Sequence, residues 1–232
     1  MALVAAGRRH IFLRTPTDSP SVNVLLAGSH GQVGRHATRI LAASDHDVRG
    51  MVRDESQTSE IEDLGAESVV ADLTEDISHA VEGVDAVIFA AGSGGEDVWG
   101  VDRDGAIDLV DAAEAEDVDR FVMLSSINAD QPENSPEALR EYLRAKAEAD
   151  KYLRASDLTH TIIRPGPLTN DGGTGRIRTG ADLDRADVEI PREDVARTLV
   201  AALGTESTYG ETFELATGEQ SIEEALGSPL SE

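Results

Sequence analysis

Tyr142 and Lys146, in the stretch YLRAK, are residue types that can exchange a proton with a substrate oxygen. Their i,i+4 spacing puts a phenol and an ammonium on one face of a helix. The ammonium stabilises the phenolate, which makes the phenol a better general acid–base. Lysine occurs elsewhere only at Lys151, so its presence here contrasts with an arginine-rich background. A lone YxxxK is weak evidence, because helices produce this spacing by chance.

Two hydroxyl groups strengthen the pattern. Ser125 and Ser126 lie in VMLSSIN, at the end of a predicted strand, and Ser126 is sixteen residues upstream of Tyr142. In a doubly wound sheet the carboxyl ends of the strands form one crevice, so both serines are expected to point into it.

The stretch VNVLLAGSHGQVGRHATRIL (22–41) places Gly28, Gly31 and Gly34 between an apolar strand and an amphipathic helix. Gly28 permits a sharp turn, Gly31 removes a Cβ that would block a diphosphate, and Gly34 lets the helix pack close to the strand. The alternative is a tight left-handed turn without a ligand. The residues between these glycines belong to the same predicted cofactor-binding loop: Ser29, His30, Gln32 and Val33.

The end of the second strand, VRGMVRDES, bears on which dinucleotide is bound. Arg53 at the strand exit favours NADP, because a guanidinium can bind the 2′-phosphate, and Arg35 could assist. Arg53 could instead form a surface ion pair with Asp54 or Glu55, and Asp54 leaves NAD possible.

Two further strand ends supply predicted cofactor contacts. Asp72, in VVADLTE, could accept the adenine amino group while Leu73 packs on the ring, although Asp72 is equally compatible with a helix cap. In FAAGSGG, the small residues Ala90, Ala91 and Gly92 would let the backbone approach the cofactor ribose.

Apolar runs and helical periodicity alternate from Val22 onward, which predicts an α/β fold with a single Rossmann-like, doubly wound parallel sheet. Strands are predicted at 22–27, 47–52, 68–71, 85–90, 120–124, 160–164 and 211–215. Helices are predicted at 32–43, 57–64, 103–115, 136–155, 192–203 and 221–226. The glycine-rich segment 166–180 is predicted to be an irregular, mobile loop on the substrate side, and the substrate-side region extends to about residue 190.

Composition excludes several classes of protein. The 232 residues include no cysteine, so there is no disulfide, thiolate nucleophile or zinc–thiolate site, and the six histidines show no metal-ligand spacing. No apolar run approaches the roughly 20 residues of a membrane span. With 45 acidic and 20 basic residues the net charge is −25, which repels phosphate backbones and argues against a nucleic-acid partner.

With these motifs, residues 22–226 resemble an atypical short-chain dehydrogenase/reductase, close to epimerase-like, NmrA-like and flavin-reductase-like proteins. The resemblance rests on these segments: GSHGQVG, MVRD, ADLT, AAGSG, VDRDG, LSSI, YLRAK, IIRPGPLT and PREDVA. It implies that Ser126 orients the substrate oxygen and that Tyr142 is the acid–base. It also implies that Lys146 holds the nicotinamide ribose and assists the tyrosine.

The resemblance adds two further positions. Pro165 and Gly166 correspond to the segment whose backbone meets the nicotinamide amide. Asp102, in GVDRDG, stands where the family's fourth active-site residue is an asparagine. An ionised aspartate cannot donate a hydrogen bond, so the family's usual water relay is in doubt.

These features favour an NADP-dependent oxidoreductase or epimerase-like enzyme that acts on a small carbonyl or alcohol. About 25 residues separate the sixth strand from the helix at 192, which disfavours a bulky nucleotide sugar. Two alternatives remain: a non-catalytic NADP-binding sensor or assembly protein, and a flavin-reductase-like enzyme that does not use the Tyr/Lys pair.

Three other features favour structural roles. Residues 1–20 lack a core pattern and are expected to be a disordered extension, with export as the alternative because RRHIFL faintly resembles a twin-arginine signal. Trp99 is expected to pack at the core or rim in preference to walling the substrate pocket, and Asp194 to cap or buttress a helix.

The scattered acids and scarce lysine resemble cytoplasmic proteins of halophiles that accumulate salt, so we expect the fold to weaken as salt is removed. At low salt the excess of 25 negative charges repels itself unscreened. The midpoint temperature of thermal unfolding should therefore decrease as KCl is lowered from about 3 M to about 0.1 M. Over this range the Debye length grows from below ~3 Å to ~10 Å. A midpoint that does not change with KCl would contradict the halophilic interpretation.

Overall fold

Strands buried on both faces form the centre of the molecule. The computed structural model describes residues 21–228. Its strands are β1 (Asn23–Ala27), β2 (Asp47–Val52), β3 (Glu67–Val70), β4 (Ala86–Phe89), β5 (Arg120–Leu124), β6 (Thr159–Pro165), β7 (Leu168–Thr169), β8 (Arg176–Gly180), β9 (Ile190–Pro191), β10 (Glu211–Thr217) and β11 (Gln220–Ser221). Its α-helices are α1 (Gln32–Ala42), α2 (Thr58–Asp63), α3 (Ser78–Val81), α4 (Gly105–Ala115), α5 (Glu137–Ala155), α6 (Arg192–Ala202) and α7 (Ile222–Gly227).

The main sheet has nine strands in the order β11-β8-β10-β6-β5-β4-β1-β2-β3. The seven strands from β10 to β3 are parallel, and β8 pairs antiparallel with β10 and β11. The chain runs from β1 outward to β3 and then returns to β4 on the other side of β1. The carboxyl ends of β1 and β4 therefore form the switch point at which doubly wound folds bind ligands.

Helices cover both faces of the sheet, as predicted. In β1, Val24 and Leu26 face the core beneath α1, α2, α6 and α7. Leu25 and Ala27 face the opposite core, beneath α3, α4 and α5. This period-two alternation, with apolar residues on both sides, is the reason the strand reads as one continuous apolar run.

Every predicted strand and helix is present within two residues at each boundary. The prediction of an irregular loop over 166–180 is wrong in part, because residues 168–169 form β7 and residues 176–180 form β8. β8 is a strand because it pairs with β10, which buries Ile177 completely. Its sequence, RIRTG, has one apolar residue between two arginines, so the strand does not show in local composition.

A seven-residue π-helix, Val98–Asp104, leads directly into α4. The Asp97 carboxylate accepts the Gly100 N–H at 2.9 Å and so caps its first turn. Segments with π geometry inside helices are rare and frequently lie at functional sites. This one holds Asp102.

Two statements concern residues 21–228 alone. No helix among them is long and apolar enough to cross a membrane. No group of three histidine, aspartate or glutamate side chains in this range could hold a metal ion. The extension expected over residues 1–20 lies outside the described residues.

Candidate functional site

A cleft of about 800 Å³ opens at the carboxyl ends of the parallel strands. Most of the residues predicted from the sequence line it: Gly28, His30, Gly31, Gln32, Val33, Arg53, Asp72, Leu73, Ala90, Ala91, Gly92, Asp102, Ser126, Tyr142, Lys146, Pro165 and Gly166. This volume lies in the range of ordinary cofactor and ligand sites. The structure thus brings the predicted cofactor loop and the predicted acid–base pair into one cleft.

The three glycines of the first loop have different surroundings. Gly28 has φ +85°, and a Cβ there would lie 2.6 Å from the Ala91 nitrogen at the end of β4. A Cβ on Gly34 would overlap the Gly28 carbonyl oxygen. A Cβ on Gly31 would meet only that oxygen, at 3.1 Å, and Gly31 is exposed to the cleft. Gly28 and Gly34 therefore permit close packing, while Gly31 keeps the cleft floor free of a side chain.

The amino end of α1 is open to the cleft. No side chain caps this end, and its first turn holds no acidic residue. Free N–H groups at a helix N-terminus attract anions.

Two predicted loop contacts, Ser29 and Gly34, do not line the cleft. Ser29 is fully buried, and its hydroxyl donates to the Met51 carbonyl oxygen at 2.8 Å. The hydroxyl therefore fastens the loop to β2. Gly34 lies against the carbonyl group of Gly28, behind the cleft wall.

Arg53 follows β2 and lines the cleft, and its side chain forms no ion pair with any residue between 21 and 228. The surface ion pair considered for Arg53 is therefore absent from this part of the chain. Asp54 is engaged instead: its carboxylate accepts the Ser56 N–H at 2.8 Å. Asp54 thus caps the next turn, and the hydrogen bonds from Ser56, with a smaller effect of the Arg53 charge, lower the pKa of its carboxyl group.

His30 and Arg35 share one carboxylate beside the loop. Glu60 lies 3.0 Å from His30 Nε2 and 2.8 Å from an Arg35 nitrogen. Arg35 Nε also donates to the His30 carbonyl oxygen at 2.9 Å. Arg35 is thus ion-paired and does not line the cleft, whereas His30 does.

Asp72 caps no helix but closes a turn, and its proposed contact with adenine stays a prediction. Its Oδ1 accepts the Thr74 N–H at 2.9 Å and the Thr74 hydroxyl at 2.8 Å, so it stabilises a turn. It also lines the cleft next to the buried Leu73.

Tyr142 and Lys146 lie one turn apart on α5, as predicted. The Lys146 nitrogen is 5.8 Å from the centre of the Tyr142 ring, and it donates to the Leu124 carbonyl oxygen at 3.3 Å. Only 2% of Lys146 is exposed, whereas Tyr142 is half-buried on the cleft wall. The tyrosine is therefore the accessible member of the pair, and the lysine lies behind it.

Asp102 is the other charged group beside Lys146. It is 1% exposed, and its Oδ1 lies 3.3 Å from the Lys146 nitrogen. Its Oδ2 accepts the N–H and the hydroxyl of Ser93 at 3.0 and 2.7 Å. Oδ1 accepts no geometrically good hydrogen bond from the described residues, so its contact with Lys146 is chiefly electrostatic. Where the resembling family places an asparagine, this chain has a buried counter-ion for the lysine.

The two serines after β5 differ in what they contact. Ser125 is buried, and its hydroxyl donates to Asp150 Oδ2 at 2.9 Å. Ser126 is half-buried, and its hydroxyl makes only a 3.3 Å contact with the Ile127 carbonyl oxygen. Ser126 is thus the serine whose hydroxyl is less committed to the protein.

Sequence reasoning missed the charged cluster behind Ser125. Asp150 is fully buried on α5, and its Oδ2 accepts Arg164 Nε at 3.0 Å. Burial raises the pKa of Asp150, and Arg164 and Ser125 oppose that rise. The signals in the sequence were an acid four residues after Lys146 on the apolar side of α5, and an arginine inside the apolar strand IIRPG.

The segment after β6 closes the cleft on its other side. A Cβ on Gly166 would overlap the Val188 carbonyl oxygen, so the backbone of the substrate-side segment packs directly on it. Asp194 is buried and accepts the N–H groups of Thr174 and Gly175 at 2.7 and 2.8 Å. Asp194 therefore buttresses this segment and holds it against α6.

The cleft wall also holds residues that the sequence did not indicate, among them Val98, Leu139, Leu168 and Arg192. The first three add apolar surface to the cleft, and Leu139 is 49% exposed. Trp99 does not line the cleft, and its ring N–H donates to Glu141 at 2.8 Å. The signal for Arg192 in the sequence is a cation at the start of the predicted helix, in PREDVA.

The hydrogen-bond donors and cations that line the cleft are those that a nicotinamide dinucleotide needs. The Cβ-free floor at Gly31 and the uncapped α1 offer N–H groups to a diphosphate. Arg53 offers an unpaired cation at the end of β2, the place that selects between the two dinucleotides. The opposite half of the cleft holds Tyr142 and Lys146.

Comparison with known proteins agrees with this geometry. The sequence profile of a family described as NAD(P)H-binding matches residues 28–206. A Bacillus subtilis (strain 168) protein called an uncharacterised sugar epimerase, YhfK, is 43% identical over 213 residues, which cover 88% of this chain and 99% of that protein.

Two solved structures share the fold and more than 30% of the sequence. A Bacillus halodurans protein provisionally named an NAD-dependent epimerase/dehydratase is 37% identical, with a TM-score of 0.86 over 89% of this chain and 99% of its own. The oxidoreductase YlbE from Lactococcus lactis is 32% identical, with a TM-score of 0.80 over 88% of this chain and 94% of its own.

We expect Asp102→Asn to lower the free energy of unfolding by about 3–5 kcal/mol, because it leaves the Lys146 ammonium buried without its carboxylate. Urea unfolding followed by circular dichroism at fixed KCl measures this. Asp104→Asn is the matched control, because Asp104 is half-exposed and pairs with Arg103 at the surface. Its cost should be below about 1 kcal/mol. Equal costs for the two variants would contradict a buried ion pair at Asp102.

Proposed function

This chain belongs to the NAD(P)H-binding family, and we propose that it is an NADP-dependent oxidoreductase acting on a small carbonyl or alcohol. One observation carries the proposal: Tyr142, backed by the buried Lys146, lines the same cleft as the glycine loop that suits a diphosphate. The relatives named as an epimerase and as an oxidoreductase support this class of chemistry.

The residues that would hold the cofactor lie along the cleft from β2 to β6. Gly31 and the first turn of α1 would bind the diphosphate, Arg53 the 2′-phosphate, and Pro165 and Gly166 the nicotinamide end. When bound, the nicotinamide supplies or accepts the hydride, and the protein has to orient the substrate and move the proton.

Tyr142 is the group that would move this proton. In carbonyl reduction its hydroxyl would donate a proton to the substrate oxygen, and in alcohol oxidation the phenolate would accept it. Lys146 stabilises the phenolate by its positive charge, 5.8 Å from the ring centre. Ser126, with its weakly bonded hydroxyl, would hold the same oxygen in place.

A preference for NADP is supported by the contrast between Arg53 and Asp54. The guanidinium is free of acidic partners within the described residues, while the carboxylate caps a turn. Selection of NAD needs an acid that is free to bind the ribose 2′-OH, whereas selection of NADP needs a cation.

Arg53→Ala should raise the Kd for NADPH by about 10- to 150-fold and leave the Kd for NADH nearly unchanged. The variant removes a charge-assisted contact worth about 1.5–3 kcal/mol. Nicotinamide fluorescence titration at constant KCl measures both constants. Arg39→Ala, which removes an exposed guanidinium from α1, is the control for net charge. An equal loss for both cofactors would show that Arg53 is structural, and a wild-type preference for NADH would overturn the assignment.

Tyr142→Phe should lower turnover by about 10²–10⁴-fold and preserve folding and NADPH affinity, because it removes only the proton-donating hydroxyl. Steady-state kinetics on a carbonyl compound found by panel screening measures the change. Tyr152→Phe is a matched control, since Tyr152 is on the same helix and its hydroxyl bonds Asp111 at the surface. Full turnover by Tyr142→Phe would rule out the tyrosine mechanism.

The Asp102–Lys146 contact favours a second candidate, an NADP-binding protein that does not use the Tyr/Lys pair. A lysine held by a buried carboxylate has less charge to offer the phenolate or a ribose. This class includes a sensor or assembly protein and a flavin-reductase-like enzyme. A sensor would bind NADPH without turnover on any carbonyl, and a flavin reductase would keep its activity in Tyr142→Phe.

A further inference from the structure

We infer that Arg192 recognises a carboxylate on the substrate, so that the substrate class is a small apolar carbonyl or alcohol bearing one carboxylate. This inference rests on the proposed function for the location of the reacting end. The choice of Arg192 as the carboxylate-binding residue rests on its own hydrogen bonds. Arg192 lines the cleft as the first residue of α6, half-buried, on the side of β6 and β7.

The hydrogen bonds of Arg192 leave one edge of its guanidinium free. Nη1 donates to the Leu168 carbonyl oxygen at 3.0 Å and to Asn170 Oδ1 at 2.9 Å. Nε and Nη2 donate to no acceptor within residues 21–228. These two nitrogens present parallel N–H groups, the arrangement that binds a carboxylate through two hydrogen bonds. Nη1 thus fixes the side chain while the carboxylate-binding edge stays available.

Arg192 also has no carboxylate partner within the described residues. Its neighbours on α6, Glu193 and Asp194, pair with Arg197 instead, and Asp194 is additionally held by Thr174 and Gly175. Arg53 and Arg192 are the arginines that line the cleft, and neither is ion-paired within the described residues. A ligand carboxylate would supply the missing negative charge.

The apolar and acidic residues of the cleft wall select the body of the ligand. Val98, Leu139 and Leu168 provide apolar surface, and Leu139 is 49% exposed. Acidic side chains line the cleft too: Asp72, Glu96, Asp102 and Glu141. Apart from Asp102, which is paired with Lys146, they disfavour negative charge beyond that of the cofactor and one carboxylate. A ligand with an apolar body and a single carboxylate suits both the apolar surface and the acidic side chains of the cleft.

A matched pair of probes tests the inference: 4-carboxybenzaldehyde and benzaldehyde share the reacting group and the ring and differ in the carboxylate. With NADPH at fixed KCl, wild type should have a kcat/KM at least tenfold higher for the carboxylated aldehyde. Arg192→Gln should abolish that preference and change kcat/KM for benzaldehyde by less than about twofold. Arg192→Lys, which keeps the charge without the paired N–H groups, should keep part of it.

A binding measurement separates this inference from the proposed function. Ligand-observed NMR would compare 4-(hydroxymethyl)benzoate with benzyl alcohol, in wild type, Arg192→Gln and the charge-matched control Arg39→Gln. Preferential binding of the benzoate that is lost only in Arg192→Gln supports the inference, even if neither aldehyde is turned over and the proposed function fails.

Two results would overturn it. One is turnover or binding in wild type that does not depend on the carboxylate. The other is an Arg192→Gln variant whose NADPH affinity falls while its preference for the carboxylate persists, which would assign Arg192 to the cofactor.

Discussion

Three backbone segments meet at the carboxyl end of β1, and they can meet only because residues 28 and 34 have no side chain. Gly28 lies against Ala91 at the end of β4, and α1 begins against the Gly28 carbonyl group at Gly34. The positions of β4 and α1 relative to β1 follow from these contacts. They place the open amino end of α1 and the small residues after β4 on one cleft, and Gly92 continues the same close packing toward Asp102.

Charged side chains buried beside this cleft form ion pairs. Lys146 and Asp150 lie one turn apart on α5 and carry opposite charges, and each meets its partner from another element. Asp102 comes from the π-helix and Arg164 from β6. Removing one member of such a pair leaves an uncompensated charge in a medium of low dielectric constant. These pairs therefore fix the relative placement of α5, β6 and the π-helix, and with it the wall that carries Tyr142.

The sequence predicted what depends on local pattern. The apolar run before Gly28 indicates a buried strand, and the spacing of Tyr142 and Lys146 indicates a shared helix face. The features it did not reveal depend on pairing between distant segments. Strand β8 exists because β10 lies beside it, the Ser125–Asp150–Arg164 cluster joins three elements, and the free edge of Arg192 depends on a carbonyl from β7. The sequence shows Asp102 as a departure from the family's asparagine but does not show its contact with Lys146, which is made from the π-helix.

The number of residues in the π-helix determines whether Asp102 lies beside Lys146. Each residue of an α-helix turns the chain by about 100°, so loss of one residue between Asp102 and Gly105 would rotate Asp102 by roughly that angle relative to α4. The carboxylate would then leave Lys146 without any change in the side chains themselves. A deletion of one residue at this point would thus remove the carboxylate that balances the lysine beside Tyr142, although every charged side chain of the site would still be present.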